Sequence, residues 1–148
     1  MEQTFNFPTE EIELPSKGLI YPEDNPLSSG KVIMKYMTAK EEDILTNQAY
    51  IQKGIVLDKL LQALIVSKIN YSDLVTGDKN AIMVAARILG YGKNYPIKFF
   101  NESTNKQDDY TVDLTALQEK PLDESLITPG TNEFSFTLAK FVIFAGVT

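Results

Sequence analysis

Three observations on this chain of 148 residues predict a mixed α+β fold. The first thirty residues carry Pro8, Pro15, Pro22 and Pro26, which forbid a regular helix, because each proline lacks an amide donor and restrains the residue before it. The middle of the chain has apolar residues at helical spacing, and alternating apolar and polar residues return beyond residue 93. The expected architecture is a three-helix cluster with an N-terminal extended arm and strand, followed by a β-hairpin and a C-terminal strand. At this length the chain is expected to be a single domain, 1–148, that buries about 70% of the surface its unfolded form exposes. Within it, 1–30 form the arm, 31–92 a strand plus the helical part, and 93–148 a β-rich part.

The elements follow in order. Glu11-Ile12-Glu13-Leu14 alternates and adds a short edge strand to the arm. Gly18 and the run Pro22-Glu23-Asp24-Asn25-Pro26 are turns. Residues 32–37 form a strand with Val32, Met34 and Tyr36 on one face. Thr38 and Glu41 have the spacing of a capping box, and Glu42 and Asp43 add first-turn negative charge that suits the helix dipole. This first helix is expected to reach about Lys53, with Gly54 at its end. Leu57, Leu60, Leu61, Leu64 and Lys68 trace one face of a second helix.

Thr76-Gly77-Asp78-Lys79 opens a third helix that continues through Leu89 and is closed by Gly90 and Gly92. Because it is apolar on almost every side, it is expected at the buried centre of the helical part. Residues 95–100 and 110–114 are expected as strands joined by a long polar loop, 101–109. A polar connector, 121–130, leads to a further strand marked by Phe134, Phe136 and Leu138. The run 141–147 is apolar at every position, so it is expected to be buried on both faces or paired, in a chain that is a shortened form of a longer protein.

Composition bounds the function. The net charge of −6, with Arg87 as the single arginine, disfavours a nucleic-acid partner, since neutralising phosphates needs a surplus of lysine and arginine. Cysteine and histidine are both absent. Their absence excludes disulfides, thiol nucleophiles, histidine-dependent triads and the usual zinc ligand sets. No metal or other cofactor is expected, and only carboxylate, lysine or oxygen-ligand chemistry survives. The first residues lack the charge and apolar core of a signal peptide, and 141–147 is too short to span a bilayer, so the protein is expected to be cytosolic, with no membrane partner.

Few residue clusters invite a chemical role. Glu41-Glu42-Asp43 are adjacent on a helix, where neighbours point apart, so they suit the helix start better than a metal. Asp108-Asp109 and Asp123-Glu124 are expected to be solvated loop charges. Gly90-Tyr91-Gly92 lies at a helix end and lacks the strand-to-helix setting of a phosphate loop. Thr76-Gly77-Asp78-Lys79-Asn80 reads as a helix cap, and Arg87 either covers its helix surface or is aimed at a partner. Pro15-Ser16-Lys17-Gly18 is either a turn that lays the arm across the domain or an exposed clamp. On the second reading Leu19 and Tyr21 are exposed apolar anchors, with Phe5, Phe7 and Ile20 beside them.

Pro15-Ser16-Lys17-Gly18 with Tyr21, the strand-to-helix entry from Tyr36 to Leu45, Gly77-Asp78-Lys79-Asn80-Ala81, and Arg87-Ile88-Leu89-Gly90-Tyr91-Gly92 leading to Tyr95-Pro96 occur in that order. Together they resemble the baseplate hub assembly proteins of T-even-type contractile-tailed bacteriophages, over residues 11–114. The resemblance implies a non-enzymatic factor that acts on phage baseplate hub proteins in the host cytoplasm, with Pro15, Ser16, Lys17, Gly18, Leu19, Tyr21 and Arg87 as candidate partner-binding residues. Its rivals are a permanent subunit of the virion baseplate and a small carboxylate-dependent metal hydrolase. Two departures stand out. Many relatives carry paired cysteines after the Tyr-Pro step, where this chain has Asn101-Glu102-Ser103-Thr104-Asn105, and relatives are usually longer, the resemblance not extending to the segment from Ala139 to Thr148.

Overall fold

A computed structural model of the protein describes residues 7–135. The fold is mixed α+β, with four helices and two small antiparallel sheets among the described residues. The expected strand through Phe136 and Leu138 and the apolar run 141–147 lie outside the described residues, as does Phe5.

β1 (Thr9–Glu13) and β2 (Lys31–Lys35) pair antiparallel, with Glu11 opposite Ile33 and Ile12 opposite Val32. Alternation decides which face is covered: Val32 and Met34 are buried, while Lys31 and Ile33 are exposed. The other edge of β2 is partly closed by residues 65–67. The Val66 amide donates to the Ile33 carbonyl at 2.8 Å, and the Ile33 amide donates to Ser67 Oγ at 2.8 Å. An exposed strand edge is thereby reduced.

The predicted capping box opens α1 (Ala39–Leu45). The first helix does not run on to Lys53, however. It stops at Leu45, and Asn47 starts α2 (Gln48–Gln52), its side chain accepting the Tyr50 amide at 3.1 Å. Thr46 folds its hydroxyl back onto the carbonyls of Glu42 and Asp43. Two residues that compete for backbone partners thus divide the segment. α3 (Val56–Leu64) buries Leu60, Leu61 and Leu64. Leu57 sits in its first turn and is 48% exposed, and Lys68 lies beyond its end, so neither belongs to the buried face expected of them.

α4 (Thr76–Tyr91) is the longest helix. It is not the buried centre of the molecule. Its buried residues are Asp78, Ile82 and Ala86, a single stripe at spacing four, and Leu89 is only half-buried. Met83 and Tyr91 are exposed. The core lies between that stripe, the buried face of β2, α3, and Leu14, Tyr21 and Leu27 from the arm.

β3 (Asn94–Asn101) and β4 (Lys106–Asp113) form the second sheet. The long loop expected at 101–109 is a short turn instead, because the Asn101 side chain accepts the Ser103 amide at 3.0 Å and donates to Asp108 at 2.9 Å, while Asn105 takes a left-handed φ of 52°. Asp108 and Asp109 therefore belong to β4 and point to opposite faces, rather than to a solvated loop. The connector 121–130 is irregular apart from a 3₁₀ turn at Glu124–Leu126.

Candidate interaction surface

The arm residues singled out in the sequence are held by the domain. The knot that holds them is Asp78 in the first turn of α4, which has no accessible surface. One of its carboxylate oxygens accepts the Ser16 amide at 3.0 Å. The other accepts the Ser16 hydroxyl at 2.7 Å and the Tyr21 hydroxyl at 2.6 Å. The Tyr21 oxygen in turn accepts the Val75 amide at 3.1 Å. Burial, and then the hydrogen bond to Asp78, raise the Tyr21 hydroxyl well above its ordinary pKa. Asp78 is thus more than a helix cap: it carries the arm.

Backbone shape reinforces the knot. Lys17 and Gly18 adopt left-handed φ values of 52° and 76°, and the Gly18 and Gly30 backbones pass against each other. A methyl group at Gly18 would overlap the Ser28 carbonyl, and one at Gly30 the Lys17 carbonyl, so only glycine fits both. Pro15 is half-buried, and Leu19 is half-buried with its carbonyl accepting the Gly130 amide at 2.7 Å. Lys17 reaches outward to Glu124 at 2.7 Å, with both side chains largely exposed. The exposed-clamp expectation is corrected accordingly. Ser16, Gly18 and Tyr21 are buried, and Tyr21 at 5% exposure is a core residue because its hydroxyl serves Asp78 and its ring joins the core.

Arg87 is half-buried on α4. It stands nine residues from Asp78, about 13 Å along α4, so the two cannot pair. Its guanidinium carbon lies 5.1 Å from the Tyr91 ring centre and 5.3 Å from that of Tyr95. It donates to the carbonyls of Gly92 at 3.1 Å and Asn94 at 3.5 Å. Two aromatic faces and two neutral acceptors hold it in place. Among the described residues no carboxylate lies within ion-pair distance of it.

Beside Arg87 a cleft of about 330 Å³ opens between α1, α3 and α4, lined by Met37, Leu45, Leu57, Met83, Tyr91 and Tyr95, with Leu60, Leu61 and Ala86 at its floor. Met37 lines it and packs against Gly90, where an added Cβ would come within 2.9 Å of the methionine methyl and the flexible end of that side chain would have to shift. Tyr95 continues the apolar surface onto the hairpin. The register places Tyr95, Ile97 and Phe99 on the same face as Val112 and Tyr110. Tyr95, Phe99 and Tyr110 are 44%, 45% and 59% exposed, so that face has no covering layer among the described residues.

No protein-family model, curated protein or solved structure matches the chain. The site therefore rests on its own geometry. Among the described residues no group of three or more acidic side chains is placed to hold a metal ion, and no helix is long and apolar enough to cross a membrane. Glu41 is the buried acid of the Glu41-Glu42-Asp43 run, and its carboxylate pairs with Lys35 at 2.7 Å. Asp123 caps its own turn by accepting the Ser125 amide at 3.1 Å.

Sequence reasoning found Arg87 but missed the cleft around it. Arg87 and Tyr91 are spaced to meet on one helix face, a readable signal. The contribution of Met37 and Leu57 depends on how α1 and α3 pack, which spacing along one element does not reveal.

Proposed function

We propose that this protein is a non-enzymatic assembly factor that works through protein–protein contacts, on baseplate hub proteins of a contractile-tailed phage, in the cytoplasm of the infected cell. The phage setting comes from the sequence resemblance. The observation that supports a binding role is the apolar surface running from the Met37–Met83 cleft across Tyr95 to Phe99 and Tyr110. Exposed apolar patches of this kind, rimmed by polar side chains, mark interaction sites on soluble proteins. Methionine and tyrosine are suited to it, the first by adaptability and the second by a large rigid contact area.

The arm knot contributes indirectly. Pro15-Ser16-Lys17-Gly18, Tyr21 and Gly77-Asp78, which carry part of the resemblance, meet around one buried carboxylate. These motifs therefore belong to the scaffold, and the binding role moves from the arm to Arg87 and its surroundings.

The test is affinity capture of the tagged full chain from infected cells. The expected result is co-purification of hub components, weakened by Tyr95→Ala together with Phe99→Ala at unchanged thermal stability. Capture of no tail protein would overturn the reading. Mass analysis of purified virions separates a factor that leaves from a subunit that stays.

A further inference from the structure

We propose that the cleft beside Arg87 receives an amphipathic helix of a partner protein, with apolar side chains entering between Met37 and Met83 and a carboxylate on the helix border meeting Arg87. The inference rests on the protein-binding reading and names the chemistry of what is bound.

Three features carry it. The first is shape. A cleft of about 330 Å³ between three helices has room for a few anchor side chains, which is how a helix seated in a groove presents one face. The second is its lining. The open side is formed by Leu57, Met83, Tyr91 and Tyr95, each 38–53% exposed, so a partner removes apolar surface from water without first displacing a core residue. The third is charge. Arg87 is fixed by two rings and two carbonyls, yet no carboxylate pairs with it among the described residues, in a chain with net charge −6. A guanidinium already oriented loses little freedom when it binds, and its planar fork matches a carboxylate. An acidic peptide is repelled by the net charge of the chain, so attraction has to be local, and Arg87 is the cation that lines this cleft.

The test uses synthetic 18-residue amphipathic peptides with a leucine face, identical except for Glu or Gln at one border position. Binding to the full chain is followed by fluorescence anisotropy, and its location by the methyl NMR signals of Met37 and Met83. The Glu peptide is expected to bind at least about tenfold more tightly than the Gln peptide. Both methionine methyls should shift on binding. In Arg87→Gln the preference is expected to disappear while the Gln peptide binds as before. Should that variant unfold, the Glu-over-Gln preference and methyl shifts of the unaltered protein decide alone. Equal affinity for the two peptides, or binding without methyl shifts, would overturn the inference. So would binding that appears only after residues 136–148 are removed, or the same methyl shifts produced by raising protein concentration alone, since the occupant would then be the chain itself. Hub capture separates this inference from the reading beneath it. If Met83→Asp captures hub proteins as well as the unaltered chain, the cleft is not the site although the assembly role stands. If no hub protein is captured but the Glu peptide binds selectively at the cleft, the cleft stands without the hub.

Discussion

Asp78 illustrates how a charged side chain becomes structural. Removing a carboxylate from water is costly unless its oxygens find donors, and Asp78 finds three: the Ser16 amide, the Ser16 hydroxyl and the Tyr21 hydroxyl. Deleting it leaves all three donors buried and unsatisfied. Asp78→Ala is therefore expected to lower stability by about 3–5 kcal/mol. Tyr21→Phe, which strips one donor and strands the Val75 amide, is expected to cost about 1–3 kcal/mol. Denaturant titration checks both, and a loss under about 1 kcal/mol for Asp78→Ala would mean that water replaces the arm. From sequence, Asp78 is legible as a helix-start acid and no more. Its donors lie 57 and 62 residues upstream, and nothing in local pattern connects positions so far apart. Tyr21 was misplaced for the same reason, since an apolar ring in a proline-rich segment has the same appearance whether it faces a partner or its own core.

At the level of elements, features set by neighbours in sequence were the readable ones. The β1 edge strand, the alternation of β2, the Thr38–Glu41 capping box and the Gly92 helix end each follow from a few adjacent residues. The break between α1 and α2 and the tight β3–β4 turn depend on side chains of Thr46, Asn47 and Asn101 choosing backbone partners, which composition alone leaves open. The start of α1 also carries a pH dependence. Burial pushes the Glu41 carboxyl up, but hydrogen bonds from Lys35 and from the Thr38 hydroxyl and amide outweigh it and hold its pKa at about 2, below the ordinary 4.5. A carboxyl with a depressed folded-state pKa contributes stability that is fully present above pH 4.5 and is lost as pH falls toward 2. That contribution is expected to be about 1–3 kcal/mol, with solvent screening at the partly exposed Lys35 favouring the lower end. Glu41→Gln should lower the melting temperature at pH 7 and flatten its fall between pH 4.5 and 2. A variant with the same acid dependence as the unaltered protein would move the effect to other carboxylates.

Across the whole molecule, packing is uneven. The arm, β1–β2, α3 and α4 share one core, whereas β3–β4 pairs chiefly with itself and exposes aromatic side chains. A two-stranded ribbon is marginal alone. Hydrogen exchange is therefore expected to be fastest, among the strands, in β3–β4, and slowest in β2 and the buried turns of α4. Equal protection of both sheets would indicate that the hairpin is covered in solution. Met83 and Tyr91 were legible as apolar, but their exposure was not, because an almost uniformly apolar helix gives no pattern from which to tell a covered side from an open one.

The long reach of the Asp78 contacts also constrains the order in which the protein is made. Ser16 and Tyr21 leave the ribosome with their hydroxyls in water, and the acid that orders them is translated only after β2 and the first three helices. Closing a loop of that length is slow compared with forming a local helix turn, so the arm is expected to dock after the helices have assembled. The kinetic signature is specific. Tyr21→Phe should speed unfolding in a chevron experiment and leave the refolding rate nearly unchanged, whereas slowed refolding would place the arm in the nucleus. A nascent chain halted before Asp78 would carry β2 and α3 but lack both the α4 side of the core and the acid that ties down the arm, leaving Leu14 and Tyr21 open to chaperones until α4 is made.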